Sequence, residues 1–149
     1  MFQNLVKLTL LCVEIFSRLT ALAPLLARVV LGTVFVQAGW GKFSNLPKTI
    51  GFFASIGLPY AELQAPMVAS FELLGGIAIL MGLATRFACI PLTVIMLVAL
   101  STAHRADISS ISDLFGISVF LYIVLFFWLA VHGPGPISVD ALLKRQLAK

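Results

Sequence analysis

Glu72 is the only charged residue in the run from Leu63 to Thr85, LQAPMVASFELLGGIAILMGLAT. A carboxylate at the centre of a membrane helix costs about 2.5–3.5 kcal/mol on insertion scales, so a partner that offsets this cost is expected. Lys42, which closes the preceding apolar run, is the candidate. Gln37, Lys42, Glu72, His104, Arg105 and Asp113 form an outer polar layer, with groups suited to proton transfer and to hydrogen bonding a ligand carbonyl. Arg28, Arg86, His132 and Asp140 form an inner layer. Its two arginines need an anion, which Asp140 or a lipid phosphate can supply. Either layer can be read as a functional site or as a polar lock at one end of a helix bundle; for the inner layer the lock is the better reading.

The elements that position these residues are written in the composition. The 149 residues are 60% hydrophobic and 11% charged, too little charge to solvate the surface of a soluble domain. Four stretches, Leu19–Gly41, Leu63–Thr85, Phe87–Ala103 and Leu114–Val131, can each span about 30 Å of hydrocarbon. A buried soluble bundle would require polar helix faces, and none is visible. The expected fold is therefore all-α and integral to the membrane: a four-helix transmembrane bundle over residues 24–132. An interfacial amphipathic helix over residues 1–23 precedes it, with Gln3, Lys7, Glu14 and Arg18 on its polar face. A Gly133–Pro136 turn and a short basic helix complete residues 133–149. Between the first two spans, IGFFASIGL is too short to cross and too apolar for a plain loop, which predicts an outer half-helix.

The formal charge of +4 is scattered, which argues against nucleic acid and instead sets orientation. With four spans, Lys7, Arg18, Arg28, Arg86, Lys144, Arg145 and Lys149 share one side, against Lys42, Lys48 and Arg105 on the other. Seven against three predicts both termini in the cytoplasm. Cys12 and Cys89 then face a reducing compartment, and the chain has no cysteine pair for disulfide exchange.

A register runs through the first two spans. Arg28, Gly32, Gly39 and Lys42 are spaced 4, 7 and 3 residues apart, and Glu72, Gly75, Gly82 and Arg86 are spaced 3, 7 and 4. The mirror image predicts an antiparallel pair with Lys42 level with Glu72, Gly39 with Gly75, Gly32 with Gly82 and Arg28 with Arg86. Glycines on one helix face let two backbones approach closely. The competing explanation is that glycines are common in membrane helices and the mirror is coincidental.

R-x-x-x-G-x-x-x-x-x-x-G-x-x-K in span one, E-x-x-G-G with G-x-x-x-R in span two, and the closing G-P-G-x-x-S-x-D together resemble the DoxX family, from about Leu25 to Leu143. The resemblance implies a small four-helix protein of the bacterial inner membrane. It also implies a small subunit of a quinone-linked redox complex, with a partner redox subunit. The alternative is a non-catalytic membrane scaffold, chaperone or assembly factor, and a permeation pathway ranks last because the span centres offer no polar lining. Among cofactors, His104 and His132 lie at opposite ends, which argues against haem, and the residues offer neither a metal cluster nor a nucleotide loop. A quinone needs only an apolar slot, a donor or acid, and some aromatics. Lys42, Glu72 and His104 beside Phe43, Phe52 and Phe53 answer that need. Membrane lipids are expected partners, and a homo-oligomer is compatible with the chain.

Overall fold

The computed structural model describes residues 19–148, which are helical with no strand among them. Residues 1–18, and with them most of the expected interfacial helix, lie outside the described residues. Seven helices run in order: α1 (Leu22–Ser44), α2 (Leu46–Ser55), α3 (Ala61–Met81), α4 (Thr85–Ser101), α5 (Ile111–Gly116), α6 (Ser118–His132) and α7 (Val139–Leu147), with a 3₁₀ turn at Arg105–Asp107. By length and composition, α1 and α3 can cross a membrane; α4 and α6 are apolar but shorter.

Local chemistry sets the boundaries. Pro24 sits in the first turn of α1, where a missing N–H costs nothing. The Asn45 side chain accepts from the Lys48 N–H and starts α2, with Pro47 in its first turn. α3 closes at Gly82, whose φ of +72° lets Leu83 N–H reach back to the Ala78 carbonyl at 2.8 Å and Gly82 N–H to that of Ile79 at 3.0 Å. Ser110 and Asp113 cap α5 reciprocally. The Asp113 carboxyl, outside the apolar helices, is held below the usual carboxylate range by the Ser109 and Ser110 N–H groups.

The stretch expected as one span from Leu114 is divided. Ile117 is extended (φ −87°, ψ 121°), so α5 and α6 are separate helices. Hydropathy alone does not mark this break, because Leu114, Phe115 and Ile117 are apolar like the residues that follow.

α1 packs most extensively against α3, α4 packs against α6, and α3 joins the two pairs through α4 while α2 lies across α3. The core holds Leu31, Phe35, Ile79, Leu92, Phe126 and Leu129, with Phe35 edge-on to Phe126 at 4.9 Å. Large apolar side chains such as Leu26, Leu74, Phe87, Ile90, Leu121 and Phe127 are exposed around the outside. A contiguous apolar exterior of this extent is a surface for lipid.

Candidate functional site

Glu72 stands on α3, 2% exposed, and faces α1. The two helices meet almost backbone to backbone. A Cβ on Gly39 would lie 2.5 Å from the Leu73 nitrogen and 2.9 Å from the Ala69 carbonyl. One on Gly32 would meet Leu80 and the Gly76 carbonyl, and one on Gly76 would meet Val36 and Phe35. At that separation Lys42, in the last turn of α1, reaches Glu72: its Nζ donates to Glu72 Oε2 in an ion pair whose acid is buried and whose lysine is partly exposed.

The register behind this pair differs from the one the glycine spacing predicts. Gly39 lies between Ala69 and Leu73, and Gly32 between Gly76 and Leu80, four residues short of Gly75 and Gly82. Four residues is about one turn, so Lys42 reaches roughly 6 Å inward to find its acid. Gly76 occupies the seam in place of Gly75, which faces Leu92 of α4. Gly82 is not a packing glycine of the seam. It closes α3 and leaves room for the Arg28 guanidinium and Ser138. The difference has a physical origin: the mirror pattern sets glycine level with glycine, whereas Gly39 packs onto the Ala69 and Leu73 backbone and Gly76 onto that of Phe35 and Val36.

Beside the pair is a cavity of about 510 Å³ between α2, α3 and the end of α4. Lys42, Glu72, Gln64, Thr102 and His104 are its polar side chains; Phe53, Val68, Ile95, Met96 and Ala99 are among its apolar walls. Phe52, Met67, Val94 and Val98 also line it and are exposed, so it opens sideways through apolar side chains. His104 is oriented by Asp107, Nδ1 to Oδ2 at 3.0 Å, which leaves Nε2 for a ligand. Sequence reasoning found Lys42, Glu72 and His104 but missed Gln64 and the α4 wall, whose apolar residues look like every other lipid-facing residue.

Three residues of the expected outer layer do not join it. Gln37 is exposed on α1 and lines a second cleft, with Asn45, Lys48 and Thr49, on the far side of Lys42. Arg105 lies in the 3₁₀ turn and lines a separate groove with Leu97 and Ile108. Asp113 is committed to capping α5. Arg105 opens the 3₁₀ turn after α4 while His104 precedes it, and the two adjacent side chains line different clefts.

At the opposite end Arg28 is 3% exposed and bound entirely by carbonyls. Its Nε donates to Ile79 O at 3.0 Å, Nη2 to Leu80 O at 2.9 Å, and Nη1 to the Pro134 and Ile137 oxygens. It thereby ties the end of α3 to the Gly133–Pro136 turn. Arg86 is not level with Arg28: it is exposed beside Gly133 and donates to Val131 O at 3.2 Å. Asp140 makes no ion pair with either arginine among the described residues. Its carboxylate accepts from the Ala84 and Thr85 N–H groups at 2.8 and 3.2 Å, capping α4 from α7. Ala84 has φ +46°, a conformation costly for a residue with a Cβ, and the Asp140 cap holds it there. His132 stacks on Trp128, ring centroids 4.7 Å apart. The direct hydrogen bonds of a polar lock at this end thus go to carbonyls and backbone amides, while the Asp140 charge acts on Arg28 without a direct bond. Among the described residues no group of three metal-ligating side chains converges.

A family model described as DoxX matches residues 23–105, more than half of the chain. The chain belongs to the DoxX family. This DoxX protein is 30% identical over 130 residues, 87% of the chain and 98% of the relative, to "Inner membrane protein YqjF" of Escherichia coli. It is 45% identical over 65 residues, 44% of the chain and 47% of the relative, to "Putative oxidoreductase CatD" of Bacillus subtilis. It is 28% identical over 134 residues, 80% of each, to "Uncharacterized membrane protein Rv3486" of Mycobacterium tuberculosis. No solved structure matches it. With its apolar helices and this membership, it is a membrane protein.

Proposed function

We propose that this DoxX protein is the small quinone-binding subunit of a redox complex in the bacterial inner membrane. In this reading four helices cross the bilayer and both termini face the cytoplasm. At about 1.5 Å per residue, α4 and α6 rise roughly 26 and 23 Å, short of a ~30 Å core by a mismatch that local thinning relieves. Seven cations against three supports the orientation. The oxidoreductase in the name of the Bacillus subtilis relative and the inner membrane in that of the Escherichia coli relative agree with the class.

The observation that carries the reading is the side-opening apolar cavity with an ion pair in its wall and a histidine at its edge. Its size and lining fit a quinone ring: apolar walls for the faces and tail, donors for the two carbonyls. A bound quinone supplies two-electron, two-proton chemistry, its electrons exchanged with a partner redox subunit. Lys42 and His104 would hold the carbonyls, each being able to donate a hydrogen bond. Glu72, hydrogen-bonded to Lys42, would hold and release a proton. The apolar walls keep bulk water from the pair and from the ligand.

The competing reading, a scaffold or assembly factor, needs the bundle but not the cavity. Ala99→Trp separates them, because Ala99 lines the cavity from α4 and its substitution projects an indole into it. Quinone extracted from the purified parent should approach one per chain and fall several-fold in the variant, with helical content unchanged. A parent without quinone, or equal retention in both, overturns the redox reading.

A further inference from the structure

The end of the bundle opposite Glu72 carries a separate cleft, of about 620 Å³, between the α4 start, the glycine turn and α7. Its charged lining is Arg86, Lys144 and Asp140, with the His132 ring beside them. The one acid among them is engaged by the Ala84 and Thr85 amides, and Arg86 makes a single bond, to a carbonyl. The cleft therefore holds a guanidinium and an ammonium with no carboxylate paired to either among the described residues. Such an arrangement selects an anion with several acceptor oxygens, and a phosphate ester above all, since an arginine fork matches two of its oxygens.

The surroundings say what the phosphate is attached to. Phe87 is 77% exposed on the α4 side of the cleft, and Leu143 and Leu147 line it from α7. Val139, Leu142, Leu143 and Leu147 recur at helical spacing, so α7 is amphipathic, with Lys144 and Arg145 away from that stripe. Its apolar residues beyond the cap are exposed, and Leu147 is 88% so. A soluble anion would gain nothing from these side chains, whereas a phospholipid places its headgroup on the cations and its acyl chains along Phe87 and the α7 leucines. We propose that this cleft binds an anionic phospholipid, and that α7 lies in the headgroup layer with the lipid clamped between it and α4. The inference does not depend on the quinone reading, since it concerns the other end of the molecule.

Trp128 provides the readout, because it stacks on His132 in the cleft wall. Trp40 is the only other tryptophan, so a Trp40→Phe background isolates its emission. Delipidated protein in neutral detergent is titrated with phosphatidylglycerol, with phosphatidylcholine, and with inorganic phosphate. A saturable change in Trp128 emission is expected with phosphatidylglycerol only. Each cation near a charged lipid surface contributes about fivefold in affinity. Arg86→Gln with Lys144→Gln should thus weaken binding roughly thirtyfold, and Lys144→Gln alone, at an exposed helix position that cannot compromise folding, about fivefold. An equal response to phosphatidylcholine, an equal response to inorganic phosphate, or unchanged affinity in Lys144→Gln overturns the proposal.

Discussion

Removing Lys42 should harm the bundle more than removing Glu72, although the two form one ion pair. The side chain of Glu72 is 3% exposed and that of Lys42 is 27% exposed, at the end of its helix. Lys42→Met therefore strands a carboxylate in a dry site, at about 3–5 kcal/mol for a fully buried charge. Glu72→Gln leaves a lysine that can turn outward to water and still has an amide oxygen to meet. Its cost is bounded by a charge-assisted hydrogen bond, about 1.5–3 kcal/mol. The double variant strands no charge, only a neutral amide, and should sit within about 1–3 kcal/mol of the parent, the cost of an unsatisfied buried polar group. Equilibrium unfolding in mixed micelles, followed by far-ultraviolet circular dichroism, measures all four proteins. The reasoning is refuted if Glu72→Gln is the more damaging single change, or if the double variant is as unstable as the sum of the two.

Gly39→Leu and Gly76→Leu should each destabilise the bundle by about 1–3 kcal/mol or more, because the atoms in the way are backbone; Gly41→Leu, with nothing within 4 Å, should be near neutral in the same unfolding assay. Asp140→Ala should cost about 1–2 kcal/mol through loss of the α4 cap, and Ala84→Gly should relieve about 1 kcal/mol of left-handed strain, each read as a shift of the unfolding midpoint. The Asp113 cap has a depressed folded pKa, so its contribution is complete above the unfolded value of about 3.9 and is lost as pH falls through the lower folded one. Amide exchange over residues 109–116 should accelerate only in that acid window, once the intrinsic pH dependence is removed, and Asp113→Asn should abolish the acid limb. In a background lacking Cys12 and Cys89, a cysteine at Ser55 should label from the periplasm and one at Lys144 only from the cytoplasm; the reverse pattern refutes the orientation.

The ion pair was legible in the sequence because charge is rare in an apolar run, so Lys42 and Glu72 had few alternative partners. The depth of the pairing was not. Spacing gives the face of a helix, but the offset between two helices is set by which side chains are small at the crossing, and Gly75 and Gly76 differ only in the neighbour they meet. The cavity was illegible for a related reason. Its α4 wall, Ile95, Met96 and Ala99, has the same chemistry as the lipid-facing exterior, and only packing separates an inner surface from an outer one. Arg28 and Asp140 show a third limit. Both were assigned to charge pairing, yet both spend their hydrogen bonds on backbone groups left open at helix ends and in the glycine turn. Sequence displays charges; it does not display the carbonyls and amides that a turn exposes.

The central claim is that the cavity beside Lys42 and Glu72 receives a quinone. Photocrosslinking with an azidoquinone in membranes, followed by peptide mapping, tests it most directly. The account predicts adducts confined to the lining segments 52–58, 64–72 and 94–104, competed by unlabelled quinone and lost in Ala99→Trp. Adducts spread over the lipid-exposed faces of α1 and α6, indifferent to competitor and to the Ala99→Trp substitution, would contradict it.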